Sequence, residues 1–180
     1  FIGRGLSYSA TSYAPLFVGR STVVIGDGQL ALRAVTELAL VAETVHMVAL
    51  SADALDTPLV KRLATHMKVV LWQGYSVREI QGNGFAQKVI IETDKGATAE
   101  LEADGVFVEL GLLPNSGLVK GLAELDDEGR VVVDNLNHTS CPGLFAAGDV
   151  TNAYAEQVLI AIGEGAKAAL SAYDYLLPSL

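Results

Sequence analysis

With 180 residues, 51% apolar and 18% charged, the chain is rich enough in apolar side chains to bury a core, which excludes a disordered protein. A net charge of −9 argues against nucleic acid or an anionic membrane surface as a partner, and no apolar run is long enough to span a bilayer. The single cysteine, Cys141, excludes an internal disulfide and any Cys-x-x-Cys couple, a usage that fits the cytoplasm. The length allows one domain or two small ones. The chain opens on Phe1 in loop-like sequence, and a fragment of a longer polypeptide, or one whose start was removed, is expected.

Residues 1–20 read as an irregular entry. Residues 22–25 suit a buried strand and run into Gly26-Asp27-Gly28-Gln29-Leu30-Ala31. Leu30, Ala31, Ala34, Val35 and Leu38 then recur at helical spacing. Strand, tight glycine turn and helix open a dinucleotide-binding βαβ unit. Gly26 turns the chain, Gly28 lets a pyrophosphate approach the backbone, and Ala31 allows close helix–strand packing. The helix start, including Gln29 and Leu30, presents free N–H groups to the phosphates.

A second apolar strand is predicted over 44–50, a helix over 57–66 beginning with Pro58 in its first turn, and a short buried strand over 68–72. Strand character over 75–81, 87–93 and 98–102, separated by Gly82-Asn83-Gly84 and Asp94-Lys95-Gly96, reads as an antiparallel meander inserted into a parallel sheet. A buried strand over 106–109 ends at Gly111-Leu112-Leu113-Pro114-Asn115. Beyond it we expect a helical turn over 118–122, strands over 130–134 and 143–150, a turn over 137–142, and a helix over 157–176 in which Gly163 and Gly165 share a face. The predicted fold is α/β: a three-layer Rossmann-like nucleotide-binding domain with an antiparallel β-meander, followed by a further segment over 111–180.

Four stretches resemble thioredoxin reductase and related flavoprotein disulfide reductases. Residues 3–12, Gly-Arg-Gly-Leu-Ser-Tyr-Ser-Ala-Thr-Ser, resemble the loop that carries that family's Cys-Ala-Thr-Cys. Residues 24–31 resemble its nicotinamide-nucleotide turn, and residues 106–115, with Gly-x-x-Pro-Asn, its exit from the nucleotide domain. Residues 140–150, followed by Glu156-Gln157 and the glycine-containing helix, resemble its carboxy-terminal flavin segment.

The resemblance implies a domain over 1–110 that binds NAD(P) and, over 111–180, the second half of a split flavin domain. It implies NAD(P)H and FAD as cofactors, a thioredoxin-like protein as partner, Asp149 of the Gly148-Asp149 pair at the flavin ribityl or pyrophosphate region, and the Gln157 backbone beside the isoalloxazine ring. The first half of the flavin domain has no counterpart, so these contacts alone do not hold FAD tightly.

The same comparison exposes what is missing. Ser9 and Ser12 stand where the redox cysteines belong, and Tyr13 where the family has an acid. A hydroxyl without an activating base does not perform disulfide exchange. Ala49, Leu50, Ser51 and Leu55 stand where the family has basic residues for a 2′-phosphate. No acid replaces them for the ribose hydroxyls; Asp53 lies beyond the strand, and Asp27 adds negative charge near the expected pyrophosphate. Weak nucleotide binding without a strong choice between NAD and NADP is therefore expected.

His46, His66 and His138 lack metal-ligand spacing, Cys141 reads as a small apolar filler, and Trp72 and Tyr75 as core. A Ser–His–Asp triad has no G-x-S-x-G elbow to support it. Three functions remain open: a reductase fragment inactive alone, a non-catalytic nucleotide- or protein-binding module, and one half of a split flavoprotein. The apolar faces of 145–150 and 163–172 predict self-association, a chain supplying the missing flavin half, or rearrangement of residues 115–180.

Overall fold

The computed structural model describes residues 1–51 and 58–179. Asp53, Leu55 and the Thr57 start of a predicted helix lie outside the described residues. The chain divides into two compact units, Phe1–Gly111 and Leu112–Leu180.

The first unit is built on a five-stranded parallel sheet in the order β1-β8-β2-β3-β4. Its strands are β1 (Leu6–Ser7), β2 (Ser21–Ile25), β3 (Thr44–Ala49), β4 (Val69–Gln73) and β8 (Gly105–Val108). A second sheet, the antiparallel meander β5 (Tyr75–Gln81), β6 (Lys88–Thr93) and β7 (Thr98–Glu102), enters between β4 and β8. Helices α1 (Ala10–Tyr13), α2 (Gln29–Val41) and α3 (Pro58–Ala64) complete the unit.

Alternation along the central strands separates the layers, because successive side chains point to opposite faces. Val24, Val45, Met47 and Phe107 pack with Ala31, Leu32, Val35 and Leu38 of α2 and with Val60 and Leu63 of α3. Val23, Val48 and Val106 pack instead with Val89, Ile91 and Leu101 of the meander. The buried stripe of α2, from Ala31 to Ala39, follows the predicted 3.6-residue period. This is the expected three-layer arrangement, with helices on one face and the meander on the other.

The entry segment is more ordered than its composition suggests. Leu6 and Ser7 pair with Val106 and Phe107 as an edge strand, and α1 leads into a 3-10 turn at Ala14–Phe17. That turn delivers Phe17 edge-on to Phe107, ring centroids 5.2 Å apart. Gly105 makes room for it: a Cβ there would lie 2.2 Å from the Phe17 ring. Two paired residues are too few to register as a strand pattern in sequence, which is why the entry read as irregular.

The second unit corrects three sequence expectations. Residues 130–134 and 143–150 do not form ladder strands; Val131 bridges single residues, Leu125 and Thr151, and Phe145 bridges His138. A strand needs a neighbour along its length, and here each segment meets one only at isolated points. The helical turn expected over 118–122 is a 3-10 turn at Gly117–Val119. Helix α4 (Val158–Leu176) runs 19 residues, and of its side chains only Ser171 is buried.

Phe107 is fully buried against both Phe17 and the α2 side of the core. Phe107→Ala is expected to destabilise the first unit by about 3–5 kcal/mol, measured by chemical denaturation followed through Trp72, the chain's one tryptophan.

Candidate functional site

Parallel strands end on one side of a sheet, so the loops after β1, β8, β2 and β3 share an edge. The chain leaves β2 through α2 towards β3 and β4, whereas β8 and β1 lie on the other side of β2. The carboxyl ends of β2 and β8 therefore flank a topological switch point, the place where open α/β sheets bind ligands.

Gly26 occupies that point. Its φ of +146° is a conformation that side chains avoid, and a Cβ there would lie 2.3 Å from the Glu109 carbonyl oxygen and 3.1 Å from the Ala31 Cβ. Its N–H donates to the Val48 carbonyl at 3.0 Å, and the Glu109 N–H to the Ile25 carbonyl at 2.8 Å. Gly26 and Ala31 are thus small because β2, β8 and α2 converge on them. Gly28 is small for another reason: a Cβ there would meet no atom within 4 Å. It precedes α2 with extended backbone, and no side chain caps the helix or places an acid in its first turn. Gln29 is exposed and Leu30 half-buried beside this opening.

Asp27 does not point along the α2 start. Its Oδ2 accepts from the Ser51 N–H at 3.1 Å, tying the turn to the end of β3. Ala49 there is buried and Leu50 exposed, so residues 49–51 present neither cation nor acid of their own.

The loop after β1 holds Ser9, Ser12 and Tyr13, which the family resemblance sets at the redox pair and its acid. Ser9 is the N-cap of α1: its Oγ accepts from the Ser12 N–H at 3.3 Å and donates to Ser12 Oγ at 3.1 Å. The two hydroxyls lie together and bond to one another. Tyr13 is exposed. Beneath them lies Glu109, a carboxylate that sequence reading treated only as the end of a strand. It is buried, and its Oε1 accepts from the Ala10 N–H at 3.1 Å, closing the first turn of α1 from below. Burial pushes its pKa up; the Ala10 hydrogen bond opposes the shift, and the Glu37 charge adds to it. The signal in sequence was an acid closing an otherwise apolar strand two residues before Gly111. Gly111 itself is exposed with φ +101° and open space where a Cβ would be.

In the second unit Gly148 takes φ +75° and packs against α4, a built Cβ lying 3.2 Å from the Ala161 Cβ. Asp149 is exposed in the 3-10 turn that follows, and Gln157, also exposed, precedes α4 with extended backbone. Nothing lies within 4 Å of a Cβ built on Gly163 or Gly165. Elsewhere, His46 Nδ1 accepts from Trp72 Nε1 at 3.1 Å, and its pKa is lowered by burial. Trp72 packs edge-on to Tyr75 at 5.4 Å within the meander core. His138 pairs with Asp134, and Cys141 is half-buried.

A three-layer α/β unit with a glycine turn at the switch point of its parallel sheet defines a Rossmann-like nucleotide-binding fold. The chain belongs to the pyridine nucleotide-disulphide oxidoreductase family, whose model matches residues 5–165. Its likeness within that family is to thioredoxin reductases and to one of the subunits of alkyl hydroperoxide reductases, and members of the family are FAD- and NAD(P)H-dependent flavoproteins. The alkyl hydroperoxide reductase subunit of Pseudomonas putida is 36% identical over 178 residues, covering 97% of this chain and 34% of that protein. A Bacillus subtilis protein named NADH dehydrogenase is 35% identical over 179 residues, covering 98% of this chain and 35% of its own length. Among solved structures, thioredoxin reductase from Streptococcus pyogenes superposes with a TM-score of 0.84 at 33% identity, and that from Giardia duodenalis with 0.82 at 30%. Both matches cover 97% of this chain and 58% of the reductase. The chain therefore spans about a third of the curated relatives it matches and 58% of the solved reductases.

Glu109 makes stability depend on pH. Its folded pKa lies above the ordinary 4.5, so in the interval between them the native state keeps a proton that the unfolded chain has lost. Stability then falls as pH rises through that interval and does not recover above it. Glu109→Gln keeps an acceptor for the Ala10 N–H and removes the charge. Its denaturation midpoint is expected to lack this fall and to exceed that of the parent at neutral pH, as measured by thermal unfolding from pH 4 to 8.

Proposed function

We propose that this chain is the nucleotide-binding part of a thioredoxin-reductase-like oxidoreductase and that, as it stands, it does not reduce disulfides. Residues 1–110 act as an NAD(P)-binding-like domain, and 111–180 as the carboxy-terminal segment of a split flavin domain. One observation carries the reading: the turn 26–31 sits at the switch point, with Gly26 sterically obligatory and open space beside Gly28. In this reading the backbone N–H groups of Gln29, Leu30 and Ala31 face the pyrophosphate, with the helix dipole behind them. Gly111, open on its Cβ side, borders the same crevice from the end of β8. A bound pyridine nucleotide supplies a hydride; the chain's own residues bind and orient it.

The residues present do not fit FAD on their own. Gly148 supplies one close, buried turn, and Asp149 and Gln157 supply one exposed carboxylate and one exposed amide. The G-x-G-x-x-A pattern also occurs at 163–168, but there it lies inside α4; the one that forms a turn between a strand and a helix is at 26–31. Nor do Ser9 and Ser12 exchange with a disulfide, because neither hydroxyl hydrogen-bonds a base among the described residues; Glu109 beneath them is turned to the Ala10 N–H. A thioredoxin-like protein, if it docks, forms no mixed disulfide here. The single cysteine is consistent with a cytoplasmic setting, and no helix of the described residues is long and apolar enough to cross a membrane.

The test uses the unmodified chain. NADH is expected to raise its melting temperature in a concentration-dependent way, by about 2.7 kcal/mol of added stability at a hundredfold excess over Kd. The protein should be colourless and should not reduce a chromogenic disulfide. Ser9→Cys/Ser12→Cys should close a disulfide in air, seen as the loss of two hydrogens by mass. Turnover of the disulfide by the parent chain, or a melting temperature indifferent to dinucleotide, would overturn the proposal.

A second reading is favoured by α4. Leu159 and Leu170 on it are 83% and 67% exposed, an apolar surface of the kind that marks an interaction site. In this reading the face takes the rest of a flavin domain from another chain, or a second copy of this one. Light scattering is expected to show a dimer or larger species; a clean monomer with an ordered α4 would contradict it.

A further inference from the structure

Residues 49–51, at the end of β3, lack the acid that usually receives an adenosine ribose, and the neighbouring turn carries an acid that such turns do not require. The structure joins these two departures. Asp27 turns its carboxylate away from the α2 start, and Oδ2 accepts from the Ser51 N–H at 3.1 Å, at the end of β3. The other oxygen, Oδ1, has no protein hydrogen-bond partner among the described residues. Residues 49–51 offer no cation to neutralise it.

We propose that Asp27 selects the nucleotide: its carboxylate, tethered at the end of β3, accepts the adenosine ribose hydroxyls of NADH and excludes the 2′-phosphate of NADPH. This rests on the reading that the turn at 26–31 holds a pyridine dinucleotide. A diol donates two hydrogen bonds to a carboxylate, and charge-assisted bonds are the stronger kind. A 2′-phosphate brings like charge to the same place, and residues 49–51 supply no Arg or Lys to pair it, so discrimination comes from repulsion as much as attraction. The departures that argued for indifference between the two cofactors thus become a preference, because a residue of the turn takes the place of the missing β3 acid.

The chain is titrated with NADH and with NADPH by calorimetry, and each titration is repeated with ADP-ribose and its 2′-phosphate as competitors. NADPH is expected to bind about tenfold more weakly than NADH, equivalent to about 1.4 kcal/mol, and the gap should narrow as salt is raised. Asp27→Asn keeps an acceptor for the Ser51 N–H and removes the charge; the gap should fall to about threefold or less, mostly because NADPH tightens. Ser51→Arg, which retains the backbone N–H, should narrow it independently should the Asp27 variant not fold. Equal affinities in the parent chain would overturn this inference while leaving dinucleotide binding intact. A gap unchanged in Asp27→Asn would do the same. Failure of the parent to bind either nucleotide would overturn the dinucleotide reading and this inference with it.

Discussion

The approach of β8 to the end of β2 at Gly26 is the constraint on which the first unit depends. The Glu109 carbonyl fills the space a Cβ would take, and the Ala31 methyl closes it from the helix side. Strand, strand and helix converge at one residue because that residue has no side chain. Everything placed at this edge of the sheet follows from that convergence. The α2 start faces the switch point, Gly28 stays open, and Glu109 is carried beneath the loop after β1.

The same edge holds the loop after β1 by two independent ties. Ser9 and Ser12 keep the geometry of a helix-start pair, with the Ser9 hydroxyl capping α1 and contacting the Ser12 hydroxyl. Serine is a good N-cap, so the loop gains local stability from Ser9. Glu109 contributes a second tie through the Ala10 N–H at the cost of a buried carboxylate. The loop is held from above and below, and it holds no nucleophile.

The second unit stands differently. Its segments meet through single bridges rather than ladders, and α4 buries little of its apolar surface within the chain. A helix this apolar that buries one serine is the expected state of an element built to be covered. Gly148 packs against Ala161 of α4, and Asp149 beside it is where the family resemblance places a flavin contact.

What the sequence determined by itself was set by local periodicity. Alternation gave the strands of both sheets their faces, the Ala31–Leu38 spacing placed α2, and the turn sequences at 82–84 and 94–96 separated the meander strands. The glycine turn and the serine pair were equally legible, because each is a short motif read in chain order. Tertiary structure decided what depends on residues far apart in sequence. Glu109 became a buried partner of Ala10 across 99 residues, and Asp27 bent to Ser51 across 24. The two-residue strand β1 exists only because β8 offers it a partner, and the predicted strands at 130–134 and 143–150 fail to form ladders for want of one. Hydrogen bonds between distant segments leave no period in the sequence, so only folding reveals which carboxylates anchor one segment to another.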